Sequence, residues 1–494
     1  MKQGLKKGMY PLLLLGLALL TPTHAQTVNP QNFEPQLYEA ECGFDILEDI
    51  GSYACYILEV PENRQSAESE LIELAIVQLD AFNERDSPPI FYLEGGPGGA
   101  AIAGMDAWVN HPLRRDHDIV IVDQRGTGYS WPSLNCYEFD EDYDEAEQDC
   151  YDRLVAEGID LNAYNSRENA NDIAAAIEAL GFEQAHLYGV SYGTRLALTL
   201  IRDHEGILDA VVLDSVYPPE VAGIEEAPAN SARAFQQIFS DCRLNADCNE
   251  RYPELEEGFY AAIQELDASE AGWGTEVLEA FNQSFYDTSM LPYMPYLMEM
   301  VVFGDPDTAL AVLSGDTYVE DLSDELADFF YSLTGEEGTE YTAHDVDDDA
   351  EGMYNSVECQ EDIAFQTLSR TESLSRSVPE ALTGFLDSAA AAFETCDIWR
   401  VEKAPDIEEK LVRSDIPVLV LTGNNDPVTP PSWGESAAQG LSNSRLLNFE
   451  GVGHGVIDAG DCPTQIILDF YAQGLAQLNT SCVDRQKPRL FIGN

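Results

Sequence analysis

The chain predicts an α/β fold, with a mostly parallel central sheet, helices on both faces, and a mostly helical insertion between two parts of the sheet domain. Three observations lead there. Short apolar runs alternate with helical periodicities through the first half and again near the end, which is the pattern of a parallel sheet covered on both faces. Several of these runs stop at glycine-rich turns. Between residues 221 and 403 strand patterns vanish, and helical periodicity, aromatics and acidic loops replace them.

In chain order, Lys2, Lys6 and Lys7 precede an apolar run at 11–20 and small residues near Ala25, the layout of a secretory leader over 1–25. Its apolar core is too short to span a bilayer, and no later stretch is long enough, so an exported, soluble mature chain with no integral membrane segment is expected. Residues 26–220 then form the first part of the sheet domain. Runs at 53–60 and 71–82 read as an antiparallel opening. Buried strands are expected at 90–93, 119–122, 184–188 and 210–213. A helix at 166–180 is stopped by Gly181, and another follows Gly193. After the helical cap at 221–403, the sheet domain resumes at 404–494 with strands at 416–421 and 445–449 and a closing helix at 464–478.

Ten cysteines in an exported chain favour disulfides over a metal site, since no Cys-x-x-Cys or His-Glu-x-x-His spacing occurs. No metal and no cofactor is expected. Sequence proximity pairs Cys42 with Cys55, Cys136 with Cys150, Cys242 with Cys248, Cys359 with Cys396 and Cys462 with Cys482, while other connectivities stay open. The formal charge of −65, from 90 acidic against 25 basic residues, argues against nucleic acid as a partner. Such self-repulsion suggests a salt-adapted protein, because at 1 M salt the Debye length falls to ~3 Å.

Chemistry concentrates at Gly189-Val190-Ser191-Tyr192-Gly193, set between a strand pattern and a helical one. A serine on a tight strand-to-helix turn needs small residues two places before and after it, which makes Ser191 the candidate nucleophile. Its hydroxyl requires a base, and the base requires a carboxylate to orient it. His454, among the glycines after the last strand, is the candidate base, since no strand end presents His111, His117, His186, His204 or His344 toward the turn. Asp426, in the loop one strand away, is the candidate acid; Asp214 is its rival and Asp458 a weaker one. Oxyanion donors would be the amides of Tyr192 and Gly96, with Gly95 as the alternative.

Together, Gly95-Gly96-Pro97-Gly98-Gly99, Asp123-Gln124-Arg125-Gly126-Thr127-Gly128, the Ser191 pentapeptide, Gly423-Asn424-Asn425-Asp426-Pro427 and Gly453-His454 resemble the α/β-hydrolase serine peptidases of the proline iminopeptidase and tripeptidyl aminopeptidase group. The resemblance spans nearly the whole mature chain. It implies an α/β-hydrolase fold and a serine aminopeptidase acting on peptides with a free amino terminus, which carboxylates of the cap would bind. Glu358, Glu361 and Asp362 are the candidates for that role, with a disulfide through Cys359 holding them in place. One departure is Glu94, where proline iminopeptidases carry a histidine, and it argues against strict proline specificity. An esterase or amidase on the same fold is the competing activity, and a catalytically inactive binding module is a third reading.

Overall fold

A computed structural model describes residues 27–44, 50–83, 87–141, 145–269, 272–323, 326, 329 and 349–491. The expected leader, His344 and most of the acidic run at 341–351 lie outside the described residues. Nine strands form one sheet: β1 (Gln36–Ala40), β2 (Tyr53–Pro61), β3 (Leu71–Leu79), β4 (Ile90–Leu93), β5 (Ile119–Val122), β6 (Ala185–Val190), β7 (Leu208–Asp214), β8 (Val418–Gly423) and β9 (Ser444–Phe449). Their spatial order is β1-β2-β3-β5-β4-β6-β7-β8-β9. The first three are antiparallel neighbours and β3 runs antiparallel to β5. From β5 to β9 every pairing is parallel.

This is the α/β-hydrolase fold that the sequence predicts. Strands β4 and β5 carry only buried apolar or aromatic residues, and β6, β7 and β8 are mostly apolar, because both faces of the central sheet are covered. Phe91, Val120, Leu187 and Val211 point into one core, with Ile173 of helix α1 (Ser166–Ala179) and Leu196 of helix α2 (Tyr192–His204). Their neighbours Tyr92, Ile121, Tyr188 and Val212 point into the other, with Trp108, Ile466 and Phe470. That alternation is the two-residue period of a strand. Helix α1 begins at Asn165, whose side chain accepts the Glu168 amide, and ends before Gly181 at φ +85°. Strand β1 was not expected: it is an edge strand with exposed Gln36, Glu39 and Tyr38, so it has no buried face to imprint an alternation on the sequence.

Strands β7 and β8 are neighbours in the sheet yet about 200 residues apart in the chain, and every described helix or strand between them is helical. Helices α3 (Gly223–Leu244), α4 (Leu255–Asp267) and α5 (Gly274–Ser284) enclose a separate aromatic core of Phe235, Phe259, Phe281, Phe285 and Phe385. Helix α6 (Glu351–Glu361) instead packs on the sheet domain, where Gly352 donates its amide to the Leu134 carbonyl at 2.9 Å. All five expected disulfides form. The Cys359–Cys396 bond ties α6 to helix α7 (Gly384–Trp399).

Candidate active site

Ser191 stands at the junction of β6 and α2 with φ +54° and ψ −126°, a backbone region that a side chain enters only under constraint. The constraint is visible. Its amide donates to the Asp214 carbonyl at 3.0 Å, and its own carbonyl accepts both the Thr194 amide and hydroxyl. A Cβ on Gly189 would sit 2.5 Å from the Gly193 carbonyl oxygen, and one on Gly193 would sit 2.0 Å from that of Leu93. Both glycines are therefore sterically required, as the pentapeptide suggests.

At the ends of β8 and β9, His454 Nδ1 lies 2.9 Å from Asp426 Oδ2. Asp426 is fully buried and also accepts the Val428 amide, the Thr429 amide and the Thr429 hydroxyl. Burial alone would raise its pKa, but the His454 charge and these donors hold it below the ordinary carboxylate range. For His454, burial would depress the pKa, yet Asp426 first, with Asp214 and Asp458 beyond it, keeps it above the ordinary value. Ionised Asp426 accepts a hydrogen bond from the Nδ1 proton, which leaves the Nε2 lone pair to act as base. No hydrogen bond joins Ser191 Oγ to His454 among the described residues; contacts of this kind commonly tighten only with substrate.

The rival acid does different work. Asp214 accepts the amides of Val456 and Ile457 at 2.8 and 2.9 Å and the Tyr188 hydroxyl, so it holds the turn after His454 rather than the imidazole. Its neighbour Ser215, which the sequence did not single out, is buried at φ +55° and accepts the Gly455 amide at 2.9 Å. Asp458 is raised to about 6 by burial and then by Asp214.

In the glycine loop, the Gly95 amide donates to Glu94 Oε1 at 2.8 Å while Glu94 Oε2 accepts the Tyr92 hydroxyl at 2.7 Å. Gly95 is thereby engaged. Among the described residues, the amides of Gly96, at φ +102°, and of Tyr192 have no intramolecular acceptor. Gly95 packs on the serine itself: a Cβ there would be 2.9 Å from Ser191 Cβ.

The three cap acids separate. Glu361 accepts the Ser166 amide and hydroxyl, both at 2.6 Å, and pairs with Arg195 at 3.1 Å. Asp362 accepts the amides of Gly223 and Ile224 at the start of α3. Buried carboxylates need such partners, and these two are committed to holding the fold. Glu358 is also buried, but among the described residues the one hydrogen bond of its carboxyl is a 3.3 Å contact from the Tyr217 hydroxyl; burial, then Asp362, pushes it up to about 8. Tyr354 lies one helical turn before it on α6, and the Tyr286 ring lies 4.8 Å from that of His454. These tyrosines were not legible in the sequence, because no motif marks a residue that the fold alone brings to the site.

The alpha/beta hydrolase fold family matches residues 88–461, and the chain belongs to that family. Among curated proteins, it is 24% identical over 464 residues to "Serine protease Hip1" of Mycobacterium tuberculosis H37Rv, covering 86% of each. It is 25% identical over 517 residues to "Carboxylesterase B" of the same strain, covering 95% of each. A "Proline iminopeptidase" of Neisseria gonorrhoeae is 27% identical over 172 residues, covering 34% of this chain and 46% of that protein. Fold and relatives together define a hydrolase.

Proposed function

We propose that the protein is an exported serine aminopeptidase that removes N-terminal residues or short peptides from substrates with a free amino terminus. Ser191 Oγ attacks the scissile carbonyl while His454 Nε2 takes its proton, and Asp426 stabilises the imidazolium. The amides of Gly96 and Tyr192 bind the oxyanion. Losing such a donor typically costs ~3 kcal/mol of transition-state stabilisation. Collapse expels the amine with the proton from His454, and water then releases the acyl group by the same steps in reverse order.

The observation that favours an aminopeptidase is Glu358. A buried acid with one weak partner is suited to an incoming ammonium, whose charge-assisted hydrogen bond would draw the carboxyl into its ionised form. In this reading Glu358 binds the amine directly, while Glu361, Asp362 and Arg195 hold it in place. Five disulfides support export, since such bonds persist in oxidising compartments. The likeness to carboxylesterase B over 95% of both chains favours esterase as the second reading.

The deciding experiment compares hydrolysis of Ala-Ala-Phe-amide with its N-acetylated form, using Ser191→Ala as the blank. Cleavage of the free amine only, with Glu358→Gln raising KM by ~10-fold or more, supports the aminopeptidase. Equal cleavage of both makes the amidase form of the second reading the right one, and turnover of simple esters alone makes it the esterase.

A further inference from the structure

The cap touches both loops of the candidate site, from two directions. From α3, Arg233 sends its guanidinium to the loop after β8: Nη1 donates to the Asn424 carbonyl at 2.6 Å and Nη2 donates to the Asp426 carbonyl. Its buried Nε has no hydrogen-bond partner among the described residues. No carboxylate pairs with Arg233 among the described residues, although the chain carries 90 acids against 25 lysines and arginines. Where acids are so abundant, an arginine left to two backbone carbonyls marks a position where the fixed fork of donors matters.

The second contact comes from the segment after α5. The Phe285 carbonyl accepts the His454 amide at 3.4 Å, and Thr288 Oγ1 accepts the Gly453 amide at 3.1 Å. The approach is close: a Cβ on Gly453 would lie 2.0 Å from the Phe285 oxygen. Each loop is also gripped from the sheet side, Asp426 by Thr429 and the His454 turn by Asp214 and Ser215. Their separation is therefore set jointly by the sheet domain and the cap.

We infer that Arg233 is a positioning residue for the reaction: by pinning the carbonyls of Asn424 and Asp426 it holds the Asp426 carboxylate against His454, and with Thr288 it makes the cap part of the catalytic geometry rather than a cover over it. This rests on Ser191, Asp426 and His454 acting as proposed. Its physical basis is that a shift of about 1 Å at a catalytic group can cost ~100-fold in rate. Binding energy gathered in the cap would then bear on kcat as well as on KM.

The test uses the full chain with Arg233→Met, Arg233→Lys, Arg233→Ala and Thr288→Val. Arg233→Met is expected to lower kcat by ~10- to 100-fold with KM changed less than ~3-fold, and Thr288→Val to lower kcat in the same sense. Arg233→Lys, which can still reach one carbonyl, is expected to fall between Met and the parent. Millimolar guanidinium should restore part of kcat in Arg233→Ala and leave the parent unchanged, a response that loss of packing alone would not give. Parental kcat in Arg233→Met with only a lower melting temperature or a higher KM overturns the inference. If Arg233→Met fails to fold, Arg233→Lys decides: kcat reduced at constant KM supports it, and parental kcat overturns it. Ser191→Ala separates the two claims, because persistent turnover in that variant removes the proposed function itself, whereas its inactivity alongside fully active Arg233 variants removes this inference alone.

Discussion

Asp214 accepts the Val456 amide at 2.8 Å, two residues beyond the histidine whose imidazole goes to Asp426. Two buried acids thus divide the work: one orients the ring and the other holds the turn that carries it. Asp426→Asn is expected to lower kcat by about 10⁴-fold while leaving the melting temperature close to that of the parent. Asp214→Asn turns one of the two acceptor oxygens into a donor and leaves one of the two buried amides it serves without an acceptor, at about 1–3 kcal/mol for an unpaired group. It should therefore lower stability with the smaller loss in kcat. Urea unfolding beside steady-state kinetics on both variants checks this, and a larger kcat loss in Asp214→Asn would reverse the assignment.

The pH profile follows from the same pair. His454 must be neutral to accept the Ser191 proton, and the field of Asp426 raises its pKa above the ordinary value despite burial. Activity should accordingly rise with pH through an inflection above about 6.5. Because the shift favours the charged imidazole, the rate is lost as pH falls through this value and is full above it. Removing the charge with Asp426→Asn should move the residual inflection downward. A kcat/KM profile between pH 5 and 9 measures both, and a flat profile would count against His454 as base.

Net charge sets the response to salt. With a formal charge of −65, repulsion opposes the compact state until it is screened, and the Debye length shrinks from ~10 Å at 0.1 M to ~3 Å at 1 M. The melting temperature is expected to climb by ~5 °C or more between dilute buffer and 1 M KCl and then to level off. Unfolding curves that coincide at both salt concentrations would mean that the disulfides and packing suffice without screening.

Much of the site was legible because its chemistry is local. A serine between Gly189 and Gly193 needs its glycines wherever the fold places it, and the clashes at the carbonyls of Gly193 and Leu93 show why. Runs such as residues 119–122 announce a strand buried on both faces, since nothing polar can survive there. Neighbouring cysteines paired as proximity suggested because short loops bring them together at little entropic cost. Edge strand β1 is not legible in the sequence because its pattern, with exposed Gln36, Glu39 and Tyr38, records no core.

By itself the sequence determined the fold class and put forward Ser191, His454 and the rival acids Asp426 and Asp214 as candidates, all of which follow from periodicity and turn chemistry within a few residues. Only the tertiary structure decided which buried acid faces the imidazole, which glycine amide is left open, and which cap acid keeps a weakly held carboxyl. These are questions of partner and distance. Asp214 and Asp426 look alike at the ends of neighbouring strands, just as Glu358 and Glu361 do within one helix. What separates them is the donors that the rest of the chain brings to each: Val456 and Ile457 amides to Asp214, the His454 ring to Asp426, Ser166 and Arg195 to Glu361. A buried carboxylate takes its role from those donors, and they arrive from segments tens to hundreds of residues away.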